Sequence, residues 1–234
     1  MTLLTIVQGA AARCGLAQPS SVISNTDETA VRLLSLTNAA GKALARRHNW
    51  SVLTKEKTFT TTAAAVQASA IPTDFDRFVD ETLFNRTRKR RLTGPISAEE
   101  WQVQQALSAS VLIDAFRIRG ADMLITPTPA AGETIAYEYV SKYWVDTDAD
   151  GDGDAVSFAS DSYTSILDEE MLTLDVIWRY RASVGLNYAE AFREAQLMVA
   201  DRIAGDGGRR TLNLATEPMI ARPQINIQEG SWPL

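Results

Sequence analysis

The apolar residues of this chain change their spacing twice, and that double switch limits the folds open to it. From Thr2 to Arg13, Leu3, Ile6, Val7 and Ala10 fall on one helical face, with Thr2 placed to cap the start and Gly15 to end the helix. Asp27 then opens a second helix to about His48, in which Val31, Leu34, Leu36, Ala40, Ala43 and Leu44 recur at roughly helical intervals. From Trp50 the pattern becomes alternating. Leu53 to Thr62 is threonine-rich and reads as an exposed strand, and three further strand-like runs follow at Ala115–Arg119, Asp122–Thr126 and Glu133–Trp144. Gly120-Ala121 and the Pro127–Gly132 stretch separate these runs, which predicts a small antiparallel meander.

Helical spacing returns after residue 167. Met171, Leu174, Ile177, Trp178 and Ala182 mark one helix. Tyr188, Ala191, Phe192, Ala195, Met198, Val199 and Ile203 mark another, and the short Gly185-Leu186 link predicts an antiparallel hairpin between the two. A Ser97-x-x-Glu100 pattern starts one more short helix inside the strand-rich part, running to about Ala109 and carrying Trp101. The expected fold is therefore α+β and mainly α: a helical core from residues 1–49 and 165–208, an inserted β-rich lobe over 50–164, and an extended arm over 209–234.

Charge is distributed unevenly. The net charge is −6, yet Asp146 to Glu170 holds nine of the 29 acids and no Lys or Arg, which leaves 20 acids against 23 basic residues elsewhere. The body is thus slightly basic, and the overall value does not exclude polyanionic partners. One Cys and one His exclude an intrachain disulfide and a Cys/His zinc site. Cys14 reads as a small hydrophobe on the first helix, and His48 as a helix-end residue in a cationic last turn with Arg46 and Arg47. The first residues lack the basic start and long apolar run of a secretion signal, and no apolar run approaches a membrane span, so the expected setting is a reducing, soluble compartment or a larger assembly.

Three segments are candidates for function. Asp146, Asp148, Asp150 and Asp154, with Gly151 at the sixth position, match the first nine positions of an EF-hand-type loop, and Asp152 adds a further carboxylate. The twelfth position is Ser157, where that loop needs a bidentate Glu, so weak Ca²⁺ binding stands beside the plainer reading of a solvated acidic loop. Arg86, Arg88, Lys89, Arg90 and Arg91 form the most basic stretch. It suits either phosphate contact or an ion-pairing interface, the acidic segment of another copy being one partner; Phe75, Phe78 and Phe84 nearby are spaced as core anchors. The third segment is the arm: Arg209, Arg210, Leu212, Leu214, Met219, Ile220, Ile225, Ile227, Trp232 and Leu234 put charge and much apolar surface on a stretch without helical period, which suits docking on a partner. No phosphate loop, dinucleotide fingerprint, HExxH or GxSxG occurs. The residues give no argument for an enzyme or for a resident cofactor.

The order of several short stretches resembles the head-to-tail adaptor, or connector, proteins of tailed bacteriophages, in particular podovirus-like portal adaptors. These stretches include Met1–Gln8, Ala45–Trp50, Lys55–Thr61, Ile71–Phe78, Phe84–Arg90, Phe116–Gly120, Pro129–Tyr139, Ile177–Tyr180 with Gly185–Tyr188, and Asp206–Arg209. The resemblance implies a non-enzymatic virion protein made in the host cytoplasm and placed in the neck. It further implies a homo-oligomeric ring, a dodecamer, between the portal protein and a downstream tail or nozzle protein, with packaged DNA passing through the channel without sequence-specific binding. It implies no membrane contact. The acidic loop departs from the family pattern. Two rivals remain at this point: a Ca²⁺-dependent binding module using the Asp loop, and a nucleic-acid-binding protein using Arg86–Arg91.

Overall fold

The computed structural model describes residues 2–106 and 113–207. Its helices are α1 (Leu3–Arg13), α2 (Glu28–Arg47), α3 (Ala98–Ala106), α4 (Glu169–Ser183) and α5 (Ala189–Gly205). Side-chain caps fix four of the starts. The Thr2 hydroxyl accepts from the Thr5 amide, Asp27 from Thr29 and Ala30, and Asp168 from Met171. Ser97 and Glu100 form a reciprocal capping box at α3, with the two amide-to-side-chain bonds at 2.8 and 3.1 Å. Left-handed backbone at Gly15 and Gly185 follows α1 and α4, where a residue without Cβ is favoured.

Helix α4 is the hub of the helical body, packing against α1, α2 and α5. Its residues 171–177 are buried in an unbroken run, so a helix enclosed on nearly all sides shows little amphipathic contrast. In α2 the buried face is Ala30, Leu33, Thr37, Ala40, Gly41, Leu44 and Ala45. Val31 and Ala43, placed on the core side by their spacing, face outward. In α5 only Ala191, Ala195 and Val199 are buried, and Tyr188 and Phe192 are exposed against a half-buried Trp178.

The mainly helical reading is corrected by the strands. Among the described residues there are ten, in three antiparallel sheets, and they do not form a small lobe. The largest sheet is built on β8 (Thr134–Ser141). On one edge it pairs with β1 (Thr54–Thr60) over the whole register from Thr54↔Val140 to Thr60↔Thr134. On the other it holds β4 (Phe84–Asn85) and β3 (Phe75–Phe78), and β4 carries β5 (Arg90–Arg91). A separate sheet orders β2 (Val66–Gln67), β7 (Asp122–Thr126) and β6 (Ala115–Arg119). A two-stranded ribbon joins β9 (Val145–Asp146) to β10 (Thr164–Ser165).

The expected meander therefore stops after its first hairpin. β6 and β7 pair, but β8 leaves β7 and pairs with strands 50 to 80 residues earlier in the chain. The physical reason lies in β8 itself, which is buried on both faces except at Glu138 and half-buried Thr134. Such a strand needs neighbours on both edges and cover on both sides; β1 is legible as a strand but not its pairing, and β3 and β4 are runs of four and two residues too short to announce themselves by period.

Two hydrophobic cores result. The helical core joins α1, α2, α4 and α5 with Trp50, Leu53, Val140, Trp144 and Phe158. The sheet core is aromatic, centred on Phe116, Ile135, Tyr137 and Tyr139 with Phe59, Phe75 and Phe78 around them. β8 passes between the two: Ile135, Tyr137 and Tyr139 belong to the sheet core and Val140 to the helical one. Just beyond it, Trp144 lies flat over Gly41, where any Cβ would overlap the indole ring.

Candidate functional site

The Asp loop leaves the fold between Val145 and Ala155, which bond back to one another through their amides and carbonyls at 3.0 and 3.1 Å. Asp146 is buried at the loop's base. Its carboxylate accepts from the amides of Asp148 (3.1 Å), Ala149 (2.7 Å) and Gly151 (2.9 Å), wrapping the chain into a tight turn. Burial works to raise its pKa, but the amides of Gly151, Ala149 and Asp148 outweigh it and hold the carboxyl below the ordinary Asp value. Asp148 is pushed up instead, chiefly by the neighbouring Asp150 charge.

One oxygen each of Asp146, Asp148, Asp150 and Asp154 lie within 4.8 Å of one another. Spacing alone anticipated these four. Asp152 turns away, its carboxylate accepting from Lys55 Nζ at 2.6 Å, and that bond holds its pKa down. The convergence offers hard oxygen ligands of the kind Ca²⁺ takes, with both oxygens of Asp146 already engaged by amides and Ser157 supplying no closing carboxylate.

The basic stretch forms the β4–β5 hairpin. Arg86 pairs with Glu56 at 2.6 Å, Arg88 with Glu133 at 2.6 Å, Arg90 with Asp114 at 3.7 Å and Arg91 with Glu81 at 3.1 Å. Lys89 occupies the turn with φ 57°. Glu133 is buried, which works to raise its pKa; hydrogen bonds from Asn85, Arg88 and the Ala130 amide outweigh that and leave it lowered. Arg88 thus secures the turn entering β8, and each arginine of the run holds an acid of its own chain.

Past the Asp loop, three acids of the acidic segment are likewise occupied. Asp161 accepts from the Val22 and Ile23 amides, Asp168 caps α4 and pairs with Arg202 at 2.9 Å, and Glu170 is bound by Arg13 at 2.5 and 2.9 Å. The two charged stretches do not meet within the chain. Arg209, Arg210, Leu212, Leu214, Met219, Ile220, Ile225, Ile227, Trp232 and Leu234 lie outside the described residues. Cys14 is half-buried, and burial raises its thiol pKa, as suits an unreactive thiol. His48 follows α2, its ring edge-on to Trp50 at 5.1 Å and its Nε2 3.5 Å from Asp206. Among the described residues no helix is long and apolar enough to cross a membrane.

One feature escaped the sequence reading. A cleft of about 270 Å³ opens between the C-terminal half of α2 and the end of β8. Lys42, Arg46 and Lys142 surround it, and Ala45, Trp144 and Val156 contribute apolar walls. Those cations are scattered over a hundred residues, and only the pairing of β1 and β3 with β8, and of Trp144 with Gly41, brings them together.

Among known families, the family model described as SU10 adaptor protein matches residues 1–219. No curated protein matches the chain.

Proposed function

We infer the function from one premise, that the chain belongs to the SU10 adaptor protein family. It is a structural adaptor of a phage virion rather than an enzyme. In the fuller reading, copies form a dodecameric ring in the neck between the portal protein and a downstream tail or nozzle protein. The ring continues the DNA channel without reading sequence, and the segment 209–234 reaches the portal. The family match over nearly the whole chain carries this reading. The arrangement of charge supports it: the four arginines of the basic stretch, and Asp161, Asp168 and Glu170 of the acidic one, are engaged within the chain, where they hold a rigid building block.

The test is to mix the protein with portal particles and image the product by negative stain. Added rings at the portal vertex are expected, and a chain lacking residues 209–234 should stay folded yet fail to attach. Normal attachment by the truncated chain overturns the role of the arm, and no attachment by the full chain overturns the neck position.

A Ca²⁺-dependent module is the second reading, favoured by the convergence of Asp146, Asp148, Asp150 and Asp154. A nucleic-acid interface at Arg86–Arg91 has no such support, since its four arginines are engaged with Glu56, Glu133, Asp114 and Glu81.

A further inference from the structure

A ring of identical subunits needs two different, mutually complementary faces on each copy, because a face that matches only itself closes a dimer. The helical body offers two faces on separate sides of α4. Helices α2 and α5 both pack on α4 and make little contact with one another. On α5, Glu190, Glu194, Leu197 and Asp201 fall at intervals of four, three and four residues and so share the outward face. All four are exposed, Leu197 at 60%. Glu190 is held by Arg193 at 2.8 Å, while Glu194 and Asp201 have no ion-pair partner among the described residues. The face is a leucine flanked by carboxylates.

The cleft beside α2 is its counterpart. Lys42, Arg46 and Lys142 form its rim, and none of them has an ion-pair partner among the described residues. Its one acid, Asp76, is occupied by Arg77 at 2.6 Å. The walls from Ala45, Trp144 and Val156 are apolar, and the adjoining outward strip of α2 runs through Ser35, Ala39 and Ala43, which are short enough to admit a neighbouring helix. An apolar floor rimmed by unpaired cations fits Leu197 with the carboxylates of Glu194 and Asp201 on either side of it and the Glu190–Arg193 pair beside it.

We propose that the outward face of α5, centred on Leu197, docks into the Lys42–Arg46–Lys142 cleft of a second copy of this chain, and that this is the lateral contact of the ring. The proposal rests on the ring reading given above and supplies its interface. The contact is heterologous, so each copy keeps one free face until the ring closes. Because it is rich in ion pairs, it weakens as salt rises.

The experiment uses the full chain and sedimentation velocity, with portal particles added in a parallel series. One variant carries Lys42→Glu with Arg46→Glu, a second carries Glu194→Lys with Asp201→Lys, and a third carries all four changes. All the sites are exposed, and thermal melting checks that each variant is folded. Wild type is expected to assemble and each two-site variant to remain monomeric. Mixing the two, or joining them in the four-site variant, should restore the wild-type mass, since reversed charges then face reversed charges. Assembly that persists in both two-site variants overturns the interface and leaves the ring intact. A wild type that stays monomeric at every concentration, with and without portal particles, overturns the ring reading itself. A Lys42/Arg46 variant that assembles normally but loses salt-sensitive binding to a short DNA duplex overturns the inference in favour of a polyanion site.

Discussion

The helical body and the sheet body of this protein reach the same end, a dry core, by opposite routes. The helices are specified locally. Each of α1, α2 and α4 carries its own side-chain cap, and α1 and α2 show apolar spacing within a single stretch of chain. The large sheet is specified at a distance, since β8 has no stable place until β1, β3 and β4, all from the segment 54–85, lie along its edges. A helix carries its hydrogen-bond partners with it, whereas a strand must find them elsewhere, which is why the two regions respond differently to damage.

The sharpest way to break that contrast is at the join. Trp144→Ala removes the ring that fills the space over Gly41 and should cost about 4 kcal/mol, read as a fall in the urea midpoint. Ile135→Ala, in the sheet core, should cost about 3 kcal/mol. If β8 truly couples the cores, both variants unfold in one transition by circular dichroism and tryptophan fluorescence alike. Two separated transitions would show the bodies to be independent.

Next in size is Glu133→Gln, which loses the charged partner of Arg88 beside the turn into β8 and should cost about 2 kcal/mol at neutral pH. The sign in pH follows from the lowered pKa. Ionised Glu133 contributes its full stability above the ordinary Glu value, and that contribution fades as pH falls from there through the depressed folded value. Wild type and variant should therefore converge on acidification, in melting curves taken across that range. A gap that stays constant would deny the charge a role.

The smallest expected effect lies outside both cores. At ten times its dissociation constant, Ca²⁺ on the Asp loop would add about 1.4 kcal/mol to stability. Melting with Ca²⁺ and with chelator reads this directly. Identical melts in the two would remove the ion from the account and leave the loop held by the amide bonds to Asp146 and the Lys55–Asp152 pair.

What was legible in the sequence follows the same division. Helix starts at Thr2, Asp27 and Asp168 could be read because a cap and its helix are neighbours in the chain. The four converging carboxylates could be read for the same reason. β8 was visible as a strand but not in its pairing, because register with β1 depends on burial of both faces and not on any local signal. The basic hairpin misled in a different way: Arg86 to Arg91 looks like a free charged surface until the fold brings Glu56, Glu81, Asp114 and Glu133 to it. Likewise Lys42, Arg46 and Lys142 carry no shared motif, and only tertiary structure makes a cleft of them.

The position of α4 at the hub has a consequence in time. α1 and α2 leave the ribosome well before α4, since the helix they pack against begins at residue 169, more than 120 residues after α2 ends. During synthesis their apolar faces must wait, while every strand from β1 to β10 is made before α4 is complete. The sheet body is therefore the part of the protein that can finish early, and the helical body, which bears both faces of the proposed subunit contact, closes last. A chain ordered in this way cannot present a complete assembly surface while it is still being made, so association with other copies is deferred until each subunit is whole.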